Sequence, residues 1–143
     1  MRTLGIDFGE RRIGLAISDA EGRFALPLGT LERTDDRGAI AALLALVRER
    51  DIEALVMGVP LAPQDGAETA AARRVRRFGE RLGRAGGLPV EWIDETLTTV
   101  EAASRLREAG AAPARLGAAL DSVAAQIVLQ EALDRRARRN PAW

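Results

Sequence analysis

Hydrophobic and polar positions at the start of the chain fall into short blocks that are typical of β-strands. Three such segments follow one another: Thr3–Asp7, Ile13–Ser18 and Phe24–Leu31. Only short turns separate them, so we expect the three strands to pair in an antiparallel manner. Pro27 predicts that the third strand lies at an edge of the sheet, because proline has no backbone N–H to donate to a neighbouring strand.

The rest of the chain alternates predicted helices with two buried strands. The run Ala54–Val59 is continuously apolar, which is typical of a parallel strand covered on both faces, and Val90–Asp94 predicts a fifth strand. Apolar spacing and capping signals predict four helices. They run from Thr34 or Asp35 to near Arg50, from Glu68 to Arg84, from Thr98 to near Gly110, and from Arg115 to Arg136.

This order of elements predicts one α/β domain over residues 1–143. Right-handed crossovers place the fourth and fifth strands parallel to the first, and we expect the first strand to lie next to the strand that ends in Asp94. Three antiparallel strands plus two parallel strands, flanked by helices, form the five-stranded mixed sheet of the ribonuclease H-like fold. The predicted fold class is therefore α/β, ribonuclease H-like.

Length and hydropathy favour a cytoplasmic protein with no membrane partner. The chain has 143 residues, of which 47% are hydrophobic, enough for one sizeable core. Its longest apolar run, Ala39–Val47, is far shorter than the roughly 20 residues that cross a bilayer. Gly5, Asp7 and Gly9 interrupt the N-terminus where a signal peptide needs a continuous apolar segment.

The residue types that the chain lacks exclude several kinds of chemistry. It contains no Cys, His, Tyr or Lys, and all 21 basic residues are arginine. Serine nucleophiles therefore have no ordinary base, a conventional zinc site has no ligands, and a Walker P-loop has no lysine. If the protein is an enzyme, carboxylates perform the chemistry, and carboxylates favour Mg²⁺ or Mn²⁺ as the cofactor.

Several acidic residues lie at the ends of predicted strands or in the last helix, and the predicted fold brings these positions close together. Asp7 ends the first strand, Asp94 and Glu95 end the fifth, and Asp121 lies in the last helix among small neighbours. Two carboxylates about 5 Å apart repel by roughly 3 kcal/mol at an effective dielectric constant near 20. Three such pairs approach ~10 kcal/mol, which is comparable with the stability of a whole domain. If Asp7, Glu95 and Asp121 converge, the cluster requires bound cations or raised pKa values.

Four blocks of sequence resemble the bacterial YqgF/RuvX family along essentially the whole chain. They are "GIDFGERRIGLAISD", "VMGVPL" with its following Asp-Gly, "DETLTTVEA" and "LDSVAAQIVLQ". Members of that family are described as pre-16S rRNA nucleases or as Holliday junction resolvase-like proteins. The resemblance implies that the catalytic and metal-binding residues are Asp7, Glu95 and Asp121. It also implies metal-dependent cleavage of structured nucleic acid, in rRNA maturation or in recombination.

The chain departs from the family pattern at positions associated with the substrate. Thr96 stands where the third block usually has arginine, and residues 62–64 replace a usual Asn-Met pair. Only Arg115 stands in for the lysines expected before the final aspartate. These differences concern substrate contacts rather than the acidic triad.

Arginines are the expected contacts to nucleic acid. The formal net charge is zero, which argues against a strongly basic, nonspecific binder. Arginine forks nevertheless suit phosphates, and the helix from Glu68 places a stripe of them on one face. The predicted nucleic-acid-binding residues are Arg11, Arg12, Arg73 and Arg77.

Three functions remain open at this point. The first is a nuclease that matures the 5′ end of 16S rRNA, and the second is a Holliday junction resolvase that acts on branched DNA. The third is a non-catalytic nucleic-acid- or ribosome-binding module. An actin-like ATPase is disfavoured, because such enzymes need two domains. Expected partners are precursor rRNA or branched DNA and the ribosome, with the protein a monomer or a homodimer.

Overall fold

The computed structural model describes residues 1–60, 68–95 and 116–139, with the side chains of 116–119 left out. The predicted helix from Thr98 to Gly110 lies outside these ranges, as does most of the loop before the second helix. The departures from the family pattern at residues 62–64, Thr96 and Arg115 lie outside them as well.

The order of described elements follows the predicted one. In chain order they are β1 (Thr3–Phe8), β2 (Arg12–Ser18), β3 (Ala25–Glu32), α1 (Asp36–Glu49), β4 (Ala54–Val59), α2 (Ala70–Gly86), β5 (Val90–Asp94) and α3 (Leu116–Arg139). The second helix begins two residues later than predicted, because the Thr69 side chain accepts a hydrogen bond from Ala72 N at 3.0 Å and caps it. Within the described ranges, no helix is long and apolar enough to span a membrane.

The five strands form one mixed sheet in the order β3-β2-β1-β4-β5. Strands β1, β2 and β3 pair antiparallel, while β4 pairs parallel to β1 and β5 parallel to β4. The predicted five-stranded mixed sheet is confirmed, and so is the edge position of the strand that contains Pro27. The expectation that β1 neighbours β5 is wrong, because β4 lies between them and supplies the hydrogen-bonding edge to both.

Alternation along the strands divides the core between the two faces of the sheet. Leu4, Ile6 and Phe8 of β1 face the side covered by α1 and α2, where Leu43 and Phe78 complete a buried cluster. The opposite face packs against α3 through a second cluster, which includes Val56, Ile93, Ala125, Val128 and Leu129. Because side chains alternate along a strand, Thr3, Gly5 and Asp7 project towards α3.

Glycines in the sheet allow α3 to pack directly on the strand backbone. A Cβ atom at Gly5 would lie 2.7 Å from Leu129 Cβ, and one at Gly14 would collide with the backbone carbonyl of Asp121. Neither position has room for a side chain. The sheet therefore accepts α3 at these positions because glycine has no side chain, and the contact at Gly14 places Asp121 near the end of β1.

We predict that Gly14→Ala destabilises the protein far more than an ordinary substitution in a strand. The added methyl group meets backbone rather than a flexible side chain, so α3 must shift. We expect the free energy of unfolding to fall by about 3 kcal/mol, the upper part of the usual cost of overpacking. Thermal melting followed by circular dichroism should show a fall in Tm of roughly 6 to 12 °C.

The matched control is Thr30→Ala. Thr30 is exposed and pairs with Gly14 in the β2–β3 register, so its replacement changes the same part of the sheet but adds no atoms beneath α3. We expect a loss below about 1 kcal/mol. Equal losses in the two variants would contradict the close packing of α3 on Gly14.

Candidate active site

Asp7 lies near the end of the central strand, on the face of the sheet that α3 covers. It pairs with Gly14 in the β1–β2 register, and the Asp121 backbone lies directly over that glycine. The tertiary structure therefore brings Asp7 and Asp121 towards each other across 114 residues of sequence, since the first is at position 7 and the second at 121.

Glu95 reaches the same place from the far side of β4. It follows β5 directly, and its backbone N–H donates to Val59 O at 3.2 Å. Its side chain extends across Gly58, so a Cβ atom at that position would collide with Glu95 Oε2. Strand β4 lies between β5 and the strand that carries Asp7. Glu95 reaches Asp7 across β4 because its side chain is long and because Gly58 has no side chain in its way.

Alternation along β5 explains why Glu95, and not Asp94, enters the site. Ile93 belongs to the core cluster under α3, and Glu91 on the same side pairs with Arg136. Glu95 continues this row. Asp94 alternates to the other face, as does Trp92, which packs against Gly79 of α2. Asp94 is exposed, and its negative charge reaches the site only as a minor influence on Glu95.

Asp7 and Glu95 form a hydrogen-bonded carboxyl pair. Burial raises the pKa of Glu95 to about 9, and the hydrogen bond and negative charge of Asp7 act in the same direction. Burial also raises the pKa of Asp7; its hydrogen bond with Glu95 opposes that shift, and the charge of Asp121 adds to it. At neutral pH, Glu95 therefore holds a proton and donates it to the Asp7 carboxylate.

Asp121 is held by an arginine from the neighbouring strand. Arg12 Nε donates to Asp121 Oδ2 at 3.0 Å. The small neighbours of Asp121 on α3 indicated that no arginine of its own helix pairs with it, but the partner comes from β2. Arg12 is the first residue of β2, and it lies on the same face of the sheet as Gly14 because the two are separated by two positions.

Asp7 and Glu95 are hydrogen-bonded to each other, and Asp121 lies close enough for its charge to raise the pKa of Asp7, but the three acids do not form a ready-made metal site. In the described part of the chain, no three acidic side chains are grouped closely enough to hold a metal ion by themselves. Two features of the donor set nevertheless fit a divalent cation. The Glu95 carboxyl group, with its raised pKa, shares a hydrogen bond with Asp7, and a guanidinium lies against Asp121. The carboxyl oxygens, which are the hard ligands that Mg²⁺ or Mn²⁺ prefers, thus lie beside groups that a metal ion would replace.

The other predicted arginines lie at the surface near this end of the sheet. Arg11 is exposed in the β1–β2 turn, and within the described residues its side chain makes no ion pair. Arg73 and Arg77 are exposed on α2, where Arg73 donates to Glu68 O at 2.8 Å. Arg74, by contrast, lies over the Phe8 ring and pairs with Glu10 at 3.3 Å.

Sequence reasoning missed two parts of the site, Gly58 and the pairing of Arg12 with Asp121. Gly58 did carry a signal, because a glycine inside an apolar strand often marks a close approach of another group. The contact between Arg12 and Asp121 carried no signal in the local sequence, because the two residues are 109 positions apart.

Comparison with known proteins gives consistent results along the chain. The sequence profile of the RuvX family, described as Holliday junction resolvase, matches residues 1–135. A protein of Chloroflexus aurantiacus is 46% identical over 138 residues, which cover 96% of this chain and 89% of the relative. One of Anaeromyxobacter sp. strain Fw109-5 is 45% identical over 136 residues, covering 95% and 98%. Both are named as candidate pre-16S rRNA nucleases.

Solved structures agree on the fold. RuvC of Thermus thermophilus, in complex with a Holliday junction substrate, aligns with a TM-score of 0.62 at 18% identity and covers 95% of both chains. The Fowlpox virus resolvase, in complex with Holliday junction DNA, aligns with a TM-score of 0.56 at 9% identity, covering 95% of this chain and 99% of the resolvase. These likenesses confirm the predicted ribonuclease H-like fold.

We predict that metal-free protein loses stability as the pH rises from about 5 to about 9, and that Glu95→Gln reduces this loss. Between its ordinary pKa of 4.5 and its folded value of about 9, Glu95 is protonated in the folded protein and ionised in the unfolded chain. Its contribution to stability is therefore complete at the acidic end and disappears as the pH passes the folded value. Denaturant unfolding in EDTA at several pH values measures the slope.

Gly58→Ala tests the same proton by a different route. The added methyl group takes the position of Glu95 Oε2 and pushes the carboxyl group away from Asp7, so the pH dependence should weaken as it does in Glu95→Gln. Glu91→Gln is the control, because it removes a carboxylate from the same strand outside the site. A wild-type slope in both Glu95→Gln and Gly58→Ala would argue against a shared proton.

Proposed function

Because this chain belongs to the RuvX family, we propose that it is a metal-dependent nuclease that hydrolyses phosphodiester bonds in structured nucleic acid. The observation that carries the proposal is the half-buried, hydrogen-bonded Asp7–Glu95 pair, whose Asp7 carboxyl group also responds to the charge of Asp121. Maturation of the 5′ end of 16S rRNA is the proposed role, since relatives at 45–46% identity are named for pre-16S rRNA.

Asp7, Glu95 and Asp121 are the proposed ligands of Mg²⁺ or Mn²⁺. Bound divalent cations would hold phosphate oxygens and lower the pKa of a water molecule for in-line attack. The chain prepares this chemistry by holding the carboxyl groups of Asp7 and Glu95 in a hydrogen bond. Glu95 must release its proton before both carboxyl groups of the pair can act as ligands, so metal affinity is expected to rise with pH.

Cleavage of branched DNA is the second candidate function. The RuvX family description names Holliday junction resolvase activity, and this supports DNA junctions as alternative substrates. The same three acids would serve either substrate, because hydrolysis of RNA and DNA phosphodiesters places similar demands on bound metal ions. Substrate choice therefore depends on surface contacts rather than on the acidic site.

Exposed arginines of α2 and of the β1–β2 turn are proposed to contact the nucleic-acid backbone. Arg11, Arg73 and Arg77 are exposed, and Arg11 and Arg77 make no ion pair within the described ranges. The guanidinium groups of Arg11 and Arg77 are free to form paired hydrogen bonds with phosphate oxygens, whereas Arg73 already donates one hydrogen bond to Glu68 O. Exposed arginines provide local positive charge although the net charge of the whole chain is zero.

We predict that the wild-type protein cleaves a precursor 16S rRNA 5′ end with Mg²⁺ or Mn²⁺, and that Asp7→Asn and Asp121→Asn each reduce the rate at least about 100-fold, because each removes a metal ligand. Single-turnover cleavage of end-labelled substrates provides the measurement, with a four-way DNA junction assayed in parallel. Faster cutting of the junction than of the rRNA would favour the resolvase function.

Asp134→Asn is the matched control for this experiment. Asp134 lies on the same helix as Asp121 but is exposed and accepts a hydrogen bond from Gln130, so activity should remain close to wild type. If neither substrate is cut under any metal condition while binding persists, the protein is instead a non-catalytic nucleic-acid-binding module.

We also predict that Arg77→Ala weakens binding of structured RNA and lowers the salt dependence of the binding constant. Loss of one phosphate contact should reduce the slope of log K against log salt concentration by about 1. Fluorescence anisotropy over a range of salt concentrations measures both quantities. Arg48→Ala, which removes an exposed arginine from α1, should leave the slope unchanged. Equal effects of the two substitutions would mean that α2 provides no specific contact.

A further inference from the structure

Asp121, the third acid of the site, has Arg12 as its ion-pair partner. Arg12 Nε lies 3.0 Å from Asp121 Oδ2, and the side chains are 44% and 28% exposed. Asp7 and Glu95 are meanwhile joined by their own hydrogen bond. The site thus consists of a hydrogen-bonded carboxyl pair and an aspartate that already has a cationic partner.

We propose that Arg12 is a built-in competitor for the divalent cation, which must displace the guanidinium from Asp121 to complete its ligand set. This inference rests on the proposed function, because it concerns the same three acids. It adds a role for Arg12 that simple phosphate binding does not include. Arg12 lowers the affinity of the empty site for metal, and metal binding in turn frees Arg12.

The position of the Arg12–Asp121 ion pair favours competition between Arg12 and the metal ion over a role for Arg12 in orienting Asp121 as a metal ligand. A guanidinium and a divalent cation at one carboxylate repel each other, since both carry positive charge at short distance. In the described residues the acids do not gather into a group of three, so a metal ion bound by all three requires movement of the Asp121 side chain that Arg12 holds. The Arg12–Asp121 contact is partly open to solvent, and such pairs are weak enough to exchange.

Release of Arg12 links metal binding to substrate binding. Arg12 begins β2 on the sheet face that carries Asp7 and Asp121, so a displaced guanidinium remains beside the metal site. There its fork is suited to a phosphate oxygen of the nucleic acid. Arg12 therefore neutralises Asp121 in the empty site and becomes available to the substrate only after metal has entered.

The test is the affinity of the protein for Mn²⁺ alone, measured by isothermal titration calorimetry without nucleic acid. Arg12→Gln should bind Mn²⁺ about three- to fivefold more tightly than wild type, which is the factor that a partly exposed ion pair contributes to an equilibrium constant. Arg12→Lys keeps the positive charge and should return most of the affinity towards the wild-type value.

Two controls separate this competition from a general effect of charge. Arg11→Gln removes the same charge from the adjacent position, where no ion pair is formed with the described residues, and should change Mn²⁺ affinity less than Arg12→Gln. In an Asp121→Asn background, Arg12→Gln should give no gain, because the contested carboxylate is absent. This double-mutant cycle isolates the interaction of the two side chains.

Unchanged or weaker Mn²⁺ binding by Arg12→Gln would overturn the inference, and weaker binding would indicate that Arg12 holds Asp121 in place for the metal. A gain that persists in the Asp121→Asn background would overturn it as well. Wild-type protein that binds no Mn²⁺ would overturn both the inference and the metal-dependent function. Wild-type protein that binds Mn²⁺ without response to Arg12→Gln leaves the proposed function intact and removes only the competition.

Discussion

Direct packing of α3 on the bare backbone of the sheet is the constraint on which the site depends. Gly5 and Gly14 remove the side chains that would otherwise hold the helix away, and the Asp121 carbonyl lies against Gly14 as a result. Helix and sheet thus approach at backbone distance near the end of β1. An acid on the helix and an acid on the strand can meet only because this layer of side chains is missing.

A third glycine, in β4, likewise makes room for a neighbouring group because it has no side chain. Gly58 in β4 leaves a gap through which the Glu95 side chain passes towards Asp7. Such placement is unfavourable for the folded chain, because it buries carboxyl groups beside one another. Two features relieve the repulsion: the raised pKa of Glu95, which favours its neutral form, and the guanidinium beside Asp121. Both the proton and the guanidinium can be exchanged, which suits a site whose proposed role is to accept a divalent cation.

Local sequence patterns predicted most of the fold. Hydrophobic alternation, the Asp35 cap and the edge signal of Pro27 act between near neighbours, and the structure confirms each of them. The neighbour relation of β1 and β5 was mispredicted, because strand order depends on which crossover inserts β4 between them. That choice is made by packing of whole elements, and no short segment encodes it.

The sequence by itself determined the order of the elements, the exclusion of histidine, cysteine and lysine chemistry, and the acids that stand at element ends. Only the tertiary structure decided that Glu95 passes over Gly58 to share a proton with Asp7, and that Arg12 occupies Asp121. The physical reason is the range over which each effect acts. Propensity and periodicity act over a few residues, whereas the burial and pairing of these charges involve positions about a hundred residues apart. Those residues become neighbours only when α3 packs on the sheet.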